Sequence, residues 1–486
     1  MSINNSYFSR NNTIISNSFT NTGRNPVTEI FFGQLATSEF PSGYSRFIFD
    51  LDLSLLLDKV NDGTISLDCL GDSIKHTLKM VNTSTFNPEL LNTTTSQSRQ
   101  RATSFDLILF RIPYINNEPS TPQLWDEGVG YDFADLQYEI IYDRNYSNRP
   151  SNFYQRTTLN NWTEPGIYNN KNLGNVPFSS VTIVDVQHFE FGNENIEFDM
   201  TNEINSIIDG SLINVAGWGI AYRPELENLT GLTDAYEVQF FTRHTQTFYE
   251  PFLETNYDDL IDDDRNLFTL GKTNKLYLYL YDDGNPINLD SNPLVDIIDN
   301  SGTSILTGLT TCRKTKGVYE VTIPPLLGYK TPCTFSDKWY NLSLNGFNIP
   351  TILNDFTLYP FKSSVQIGTS SSEPKLYGFD YYGIKQDEKI INTDIRKVGV
   401  IVKQAYTTQK LLQKVDIYYR VYVREGQTEV EVQQWTMVNR TPNEYYFIFD
   451  TRDKIPNEYF IDLKVESSGE VNTYKRQIKF QIVNEK

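Results

Sequence analysis

The sequence predicts an all-β protein: a jelly-roll-like β-sandwich at residues 1–256 followed by two Ig-like β-sandwich modules at residues 265–360 and 361–486. Three observations lead to this prediction. Short segments of alternating apolar and polar residues recur along the chain, as in strands with one buried face. Aromatic residues, which favour strands, reach 14% with 31 Tyr and 30 Phe. A chain of 486 residues also exceeds what one hydrophobic core usually holds.

The first module has six segments typical of strands, at residues 46–53, 105–112, 188–191, 196–200, 217–222 and 236–242. Residues 105–112 are almost continuously apolar, which predicts a strand covered on both faces. In Gly217-Trp218-Gly219 no helix follows, so we expect close packing within a strand and not a nucleotide-binding loop. Short helices are predicted at residues 53–60 and 201–208.

Long loops are predicted at residues 112–180, a region rich in Asn, Tyr, Pro and Trp. Long loops within a compact domain are usually functional. We therefore expect them to contact neighbouring subunits.

An acidic segment at residues 257–264 marks the end of the first module. One interpretation is a calcium site, because clustered carboxylates supply oxygen ligands. The spacing lacks the glycine and glutamate of an EF-hand loop, however. The preferred interpretation is a solvated linker.

Alternation resumes in both later modules. In the second, residues 275–281 alternate Leu and Tyr up to a turn at 282–285, and strands are also predicted at 318–323 and 339–344. The third has predicted turns at 425–427 and 467–469 and strands at 398–402, 417–423, 445–450, 459–465 and 474–483. The strands of the second module fit an Ig-like architecture, and those of the third make up a complete sandwich.

The net charge of −19 argues against a nucleic-acid partner, since phosphate binding requires Lys and Arg in excess. The longest basic stretch is Arg313, Lys314 and Lys316. No apolar run of 18 residues exists, so no membrane partner is expected. Because the first residues lack a positive and then an apolar stretch, we expect no signal peptide and synthesis in the host cytoplasm.

The three cysteines, Cys69, Cys312 and Cys333, are too few for a disulfide framework. A bridge between Cys312 and Cys333 is one interpretation, because both fall in the second module. Buried free thiols are the preferred one.

Catalytic chemistry has little support in this sequence. The only histidines are His76, His188 and His244, and none pairs with another at metal-ligand spacing. His244 is interpreted as a structural histidine. We predict no catalytic, cofactor-binding or metal-binding residue, no cofactor and no enzymatic activity. Exposed Tyr and Trp side chains that stack on sugar rings are the main alternative to a purely structural role.

Two resemblances bear on function. The first module is similar to the jelly-roll stalk modules of surface fibres, through residues 45–51, 217–221, 238–247 and 250–254. About 100 residues of the last module resemble virion structural proteins of crAss-like tailed bacteriophages, through residues 416–423, 435–439, 443–451 and 455–465. The second resemblance carries no catalytic motif, and it implies a component of a phage particle.

The resulting hypothesis is a multi-copy tail ring or tail hub protein of a tailed-bacteriophage virion. It would form a homo-oligomer and connect the tail barrel to neighbouring tail or fibre proteins. The alternative is a receptor- or glycan-binding fibre or adhesin protein.

Overall fold

The computed structural model describes residues 2–19, 21–33, 43–70, 74–83, 100–112, 125–130, 150–157, 159–168, 181–213, 215–229, 235–265, 268, 273–326, 333–358, 377–404, 415–425, 428–441, 444–452, 454–467 and 470–484. The chain is an all-β protein built of β-sandwiches, as predicted. Its contacts separate it into two compact units. The jelly-roll unit comprises Asn4–Asp58 and Ile74–Asn256, and the tandem unit comprises Met1–Ile3, Lys59–Ser73 and Tyr257–Lys486. The three-module boundaries predicted from the sequence stay a prediction.

The N-terminal half contains eleven strands and four short helices among its described residues. They are β1 (Ser2–Ile15), β2 (Val27–Gly33), β3 (Gly43–Leu51), α1 (Ser54–Asn61), α2 (Leu67–Leu70), β4 (Lys75–Met80), β5 (Gln100–Arg101), β6 (Phe105–Arg111), β7 (Thr182–Phe189), β8 (Ile196–Asp199), α3 (Thr201–Ile208), β9 (Trp218–Tyr222), α4 (Pro224–Glu227), β10 (Ala235–Phe241) and β11 (Phe252–Tyr257).

The strands of this half are paired in the order β5-β10-β2-β3-β1-β11-β4-β8, and a branch from β3 continues through β9 and β6 to β7. Two of the three end strands of this arrangement, β7 and β8, are joined by hydrogen bonds from backbone amides of β8 to side chains of β7. The carboxylate of Asp185 accepts a 2.7 Å bond from the Asp199 amide, and the side-chain oxygen of Gln187 accepts a 2.8 Å bond from the Glu197 amide. These bonds connect the end of the branch to one end of the main strand order.

Strand β6 is covered on both faces, which confirms the prediction for residues 105–112. Leu107 and Leu109 are buried on one face. Ile108 and Phe110 are buried on the other, in a cluster with residues of the segment 125–168. On the neighbouring strand, a Cβ added to Gly219 would lie 2.3 Å from the ring of Phe110. The predicted close packing at this glycine is therefore confirmed.

The described parts of the long loops pack against the jelly roll. Trp125, Trp162 and Tyr168 are buried in the cluster that covers the outer face of β3, β6 and β9. The described loop residues thus place large aromatic side chains in the core of the jelly-roll unit. The remainder of 112–180 lies outside the described residues, and contact with other subunits stays a prediction.

A fully buried ion pair fixes one of these loops. Arg46 of β3 donates to both carboxylate oxygens of Glu227 at 2.9 and 2.7 Å. Its guanidinium also donates to the Tyr168 carbonyl at 3.0 Å and lies 3.5 Å from the centre of the Tyr168 ring. Burial disfavours the charge, but the carboxylate of Glu227, together with Tyr168 and Tyr44, outweighs this and raises the pKa of Arg46.

The C-terminal half contains nineteen strands among its described residues. They are β12 (Asn274–Tyr279), β13 (Tyr281–Asp282), β14 (Asn285–Pro286), β15 (Leu294–Asp299), β16 (Ser304–Thr315), β17 (Val318–Ile323), β18 (Cys333–Tyr340), β19 (Ser343–Leu344), β20 (Phe347–Asn348), β21 (Ile352–Leu358), β22 (Tyr377–Tyr382), β23 (Glu388–Ile391), β24 (Ile395–Gln404), β25 (Asp416–Glu425), β26 (Thr428–Met437), β27 (Asn439–Arg440), β28 (Tyr445–Asp450), β29 (Glu458–Ser467) and β30 (Glu470–Val483).

These strands form two sandwiches with separate cores. In the first, β12-β17-β16-β15-β18-β21 follow one another, and β16 pairs with β15 through its first half and with β17 through its second. Trp339 is fully buried in this core. In the second, β22-β24-β28-β27 pack against β23-β30-β29-β25-β26 around a core that includes Val400, Val421 and Ile461.

Turn chemistry explains where some predicted segments end. Asp283 and Gly284 both have positive φ, 47° and 82°, which gives the predicted tight turn at 282–285. The segment predicted at 339–344 is interrupted, because Asn341 has φ 60° and separates β18 from β19. The tips of the turns predicted at 425–427 and 467–469 (residues 426–427 and 468–469) lie outside the described residues.

Candidate functional sites

The three histidines bind different sets of residues. His76 is fully buried, and its ring nitrogens lie 2.8 Å from the Thr255 hydroxyl and 3.2 Å from the Asn205 side-chain oxygen. Burial lowers the pKa of His76 to about 4, so the ring is neutral at pH 7. Its burial and its neutral ring therefore favour a structural role for His76 in the core.

His188 and His244 each lie beside carboxylates. His188 is exposed and contacts Asp106 at 2.7 Å and Glu190 at 3.2 Å, and hydrogen bonds to these carboxylates raise its pKa. His244 is half-buried, 3.1 Å from Glu127, and its structural role stays a prediction. Among the described residues, no group of three or more His, Cys, Asp or Glu side chains could hold a metal ion.

The acidic segment at 257–264 is not a solvated linker, and this expectation was wrong. Ile261 and Asp263 are 3% and 2% exposed. Arg440 of β27, itself 8% exposed, donates to Asp262 at 2.7 Å and lies 3.5 Å from Asp264. The second sandwich thus supplies a cation to Asp262 and Asp264, and Lys314 of the first sandwich lies 3.5 Å from Asp258.

Backbone contacts and an apolar cluster complete this connection, which we call the joint (residues 257–265 with Tyr277, Tyr279, Val318, Asn439, Arg440 and Tyr446). The Ile261 amide donates to the Asn439 side chain at 2.9 Å, and the Arg440 amide donates to the Ile261 carbonyl at 2.8 Å. Ile261 is buried with Tyr277 and Val318, and Tyr279 and Tyr446 pack against them. The joint thus connects the segment 257–264 to both sandwiches of the tandem unit.

Asp263 lies at the centre of the joint. Burial raises the pKa of its carboxyl to about 6, against the opposing effect of Arg265. Its carboxylate accepts a 3.0 Å bond from the Arg265 amide and a 3.3 Å bond from the Tyr279 hydroxyl. Arg265 in turn pairs with the fully buried Asp337, at 2.5 Å.

Cys69 and Cys312 form a disulfide, with their Cα atoms 5.1 Å apart. The expectation of free thiols was therefore wrong for these two residues, and a Cys312–Cys333 bridge is excluded. The reason is spatial: α2, which carries Cys69, lies against β16, which carries Cys312. A separation of 243 residues gives no spacing signal in the sequence.

A second candidate site is the outer face of the last sheet, here called the Trp435 face (Tyr418, Arg420, Trp435, Asp462 and Lys464). Four of the five tryptophans are buried, and Trp435 is half-buried. The ammonium of Lys464 lies 4.1 Å from the Tyr418 ring centre and 5.6 Å from that of Trp435. The guanidinium of Arg420 lies 5.4 Å from the Trp435 ring centre. Aromatic and cationic groups therefore alternate across this face.

Two irregularities in strand pairing shape the Trp435 face. Arg420 and Asp462 are directly paired across β25 and β29, and Arg420 donates to the fully buried Asp462 carboxylate at 2.7 and 2.9 Å. A register shift in β26 opposite Arg420 carries Trp435, and another in β30 opposite Asp462 carries Arg476. The Arg476 amide donates to Asp462 at 2.6 Å. Bulges of this kind re-aim side chains and are frequent near binding sites.

No described helix is long and apolar enough to cross a membrane.

Comparison with known proteins gives similarities of fold only. No protein-family model matches the sequence, and no curated protein matches it. Among solved structures, the chain is similar to the fibronectin(III)-like modules of Clostridium thermocellum CbhA, with 10% identity over 46% of this chain and 91% of that chain and a TM-score of 0.16. It is similar to the tandem Ig repeats of Dlar, with 12% identity over 45% of this chain and 93% of that chain and a TM-score of 0.15. It is also similar to titin Ig tandem domains A164-A165, with 10% identity over 45% of this chain and 92% of that chain and a TM-score of 0.14.

Proposed function

We propose that the protein is a structural component of a tailed-bacteriophage virion, a multi-copy tail ring or tail hub protein that connects the tail barrel to neighbouring tail or fibre proteins. The observation that carries the proposal is the joint. A connecting protein that transmits force or fixes spacing needs modules held in a constant relation, and here the linker is bound by charge pairs, backbone bonds and an apolar cluster. The resemblance of the last module to virion proteins of crAss-like phages supports the same role.

Purified virions with and without the protein test this proposal. Phage in which its gene is disrupted should give particles with absent or incomplete tails in negative-stain images, and supplying the intact gene in trans should restore them. Disruption of a non-structural phage gene serves as the matched control. Normal tails on particles that lack the protein would contradict the proposal.

A glycan-binding role is the second candidate, and the Trp435 face favours it. An accessible indole can stack on a sugar ring, and neighbouring Arg420, Lys464 and Glu431 can bond to hydroxyl groups. The test is a glycan array probed with the full chain and with Trp435→Ala. Phe347→Ala is a suitable control, because Phe347 is 77% exposed but lies on the hairpin of β19 and β20. Saturable binding that only Trp435→Ala abolishes would support this role, and no binding would exclude it for the glycans on the array.

A further inference from the structure

The disulfide belongs to an excursion of the chain that we call the arm (residues 59–70). Lys59–Ser73, which include the arm, belong to the tandem unit, whereas Asn4–Asp58 before them and Ile74–Asn256 after them belong to the jelly-roll unit. It contains the end of α1, a turn and α2. The chain therefore leaves the jelly-roll unit before the arm and returns to it after the arm.

Polar contacts that involve no cysteine seat the turn of the arm on the tandem unit. The Asn288 side chain donates to the Asp62 carbonyl at 2.9 Å, and the Thr315 hydroxyl donates to the Thr64 carbonyl at 2.9 Å. The approach is close, because a Cβ on Gly63 would lie 2.7 Å from the Asn288 amide nitrogen. The turn is therefore positioned independently of the sulfur atoms.

Two ion pairs add to this seat. Lys316 lies 3.5 Å from the Asp62 carboxylate, and Lys59 lies 3.4 Å from that of Asp450 in β28. The arm thus contacts strands of both sandwiches. Neither pair requires the disulfide, so we expect a docked arm in the dithiol protein as well.

Both cysteines are partly exposed to solvent. Cys69 and Cys312 are half-buried, not sealed in the core. Docking of the arm brings their Cα atoms within the range that a disulfide requires. The arm contacts therefore pre-organise the two thiols for oxidation.

We propose that Cys69 and Cys312 form a redox latch, which stays open as two thiols in a reducing compartment and closes when the protein enters an oxidising one. In closure, a low-molecular-weight disulfide such as glutathione disulfide accepts two electrons from the protein. The Cys69–Cys312 bond forms, the glutathione sulfur–sulfur bond breaks, and the two thiol protons leave on two molecules of glutathione. The latch converts a docked arm into a covalently attached one without a change of fold. This inference rests on the arm contacts and is independent of the proposed function.

The experiment uses the full chain purified under reducing, anaerobic conditions and then equilibrated with glutathione buffers of increasing disulfide fraction. Thiols are trapped with a maleimide, and peptides are mapped without reduction. We expect one linked pair, the peptides of Cys69 and Cys312, with Cys333 labelled as a thiol throughout. We also expect oxidation to raise the thermal midpoint of the tandem unit by about 5 °C or more, because a cross-link between distant residues restricts the unfolded chain.

Hydrogen exchange on the wild-type chain tests the docked arm without relying on variants. Amides of residues 59–70 should be protected at least tenfold over an unstructured peptide in both redox states. The double variant Cys69→Ser/Cys312→Ser should behave like the reduced protein in either buffer, and Cys333→Ser should respond like wild type. The latch would be refuted if Cys69 and Cys312 remain thiols in the oxidising buffer, or if the arm is unprotected in the reduced chain.

Discussion

Replacement of Arg440 by glutamine removes the cation that pairs with Asp262 and Asp264 in the joint. Arg440 is 8% exposed and lies 2.6 Å from Asp262 and 3.5 Å from Asp264, whose side chains are 32% and 19% exposed. Removing one partner of a fully buried ion pair costs about 3–5 kcal/mol. Because solvent partly screens both carboxylates, we expect a loss of about 2 kcal/mol in the free energy of unfolding of the tandem unit.

Urea denaturation of the full chain at pH 7 measures this loss, and hydrogen exchange at the Ile261 amide reports on the joint itself. Arg396→Gln is the matched control, because Arg396 pairs with Asp394 and Glu388 but its side chain is 35% exposed. It should cost less than about 0.5 kcal/mol. If Arg440→Gln is as mild as the control, or if Ile261 exchange is unchanged, the joint is not held in the way described.

Three other predictions concern single positions. Because His76 titrates near pH 4 when folded and near 6.5 when unfolded, the jelly-roll unit should lose up to about 3 kcal/mol as pH falls from 6.5 to 4, and His76→Gln should abolish this dependence in urea titrations. Asp263 has the opposite effect on stability: its folded pKa of about 6 exceeds its ordinary value, so its ionisation destabilises the tandem unit as pH rises. Asp263→Asn should therefore stabilise this unit by about 1–2 kcal/mol at pH 7 but not at pH 4. Equal effects at both pH values would refute the raised pKa of Asp263. Gly219→Ala should destabilise the jelly-roll unit by about 1–3 kcal/mol through its clash with Phe110, and Phe110→Leu should recover part of the loss in a double-mutant cycle, whereas additive effects would argue against the contact.

Strands with strong local patterns were predictable from the sequence. Residues 318–323 and 445–450 are rich in β-branched and aromatic residues, and β17 and β28 occupy those positions. Strand β1 was not predicted, because its Asn- and Ser-rich sequence does not resemble a buried strand. Asn11 and Asn12 are nevertheless buried, since their side chains donate to the carbonyls of Gly23 and Ser151 at 2.8 and 2.7 Å.

The candidate sites depend on partners that are distant in sequence. Asp262 and Arg440 are 178 residues apart, and the disulfide joins residues 243 apart. Composition shows the charges and the cysteines but not which of them meet. The aromatic richness of the chain was visible in the sequence. That four tryptophans are buried and Trp435 lies on an outer face follows only from strand register and bulges.

Immunogold electron microscopy of purified virions, with antibodies raised against the tandem unit, tests the structural role most directly. We predict gold particles at one constant position on the tail, in several copies per virion, that remain after washing in high salt. Label confined to the soluble fraction of the lysate, with bare tails, would contradict it.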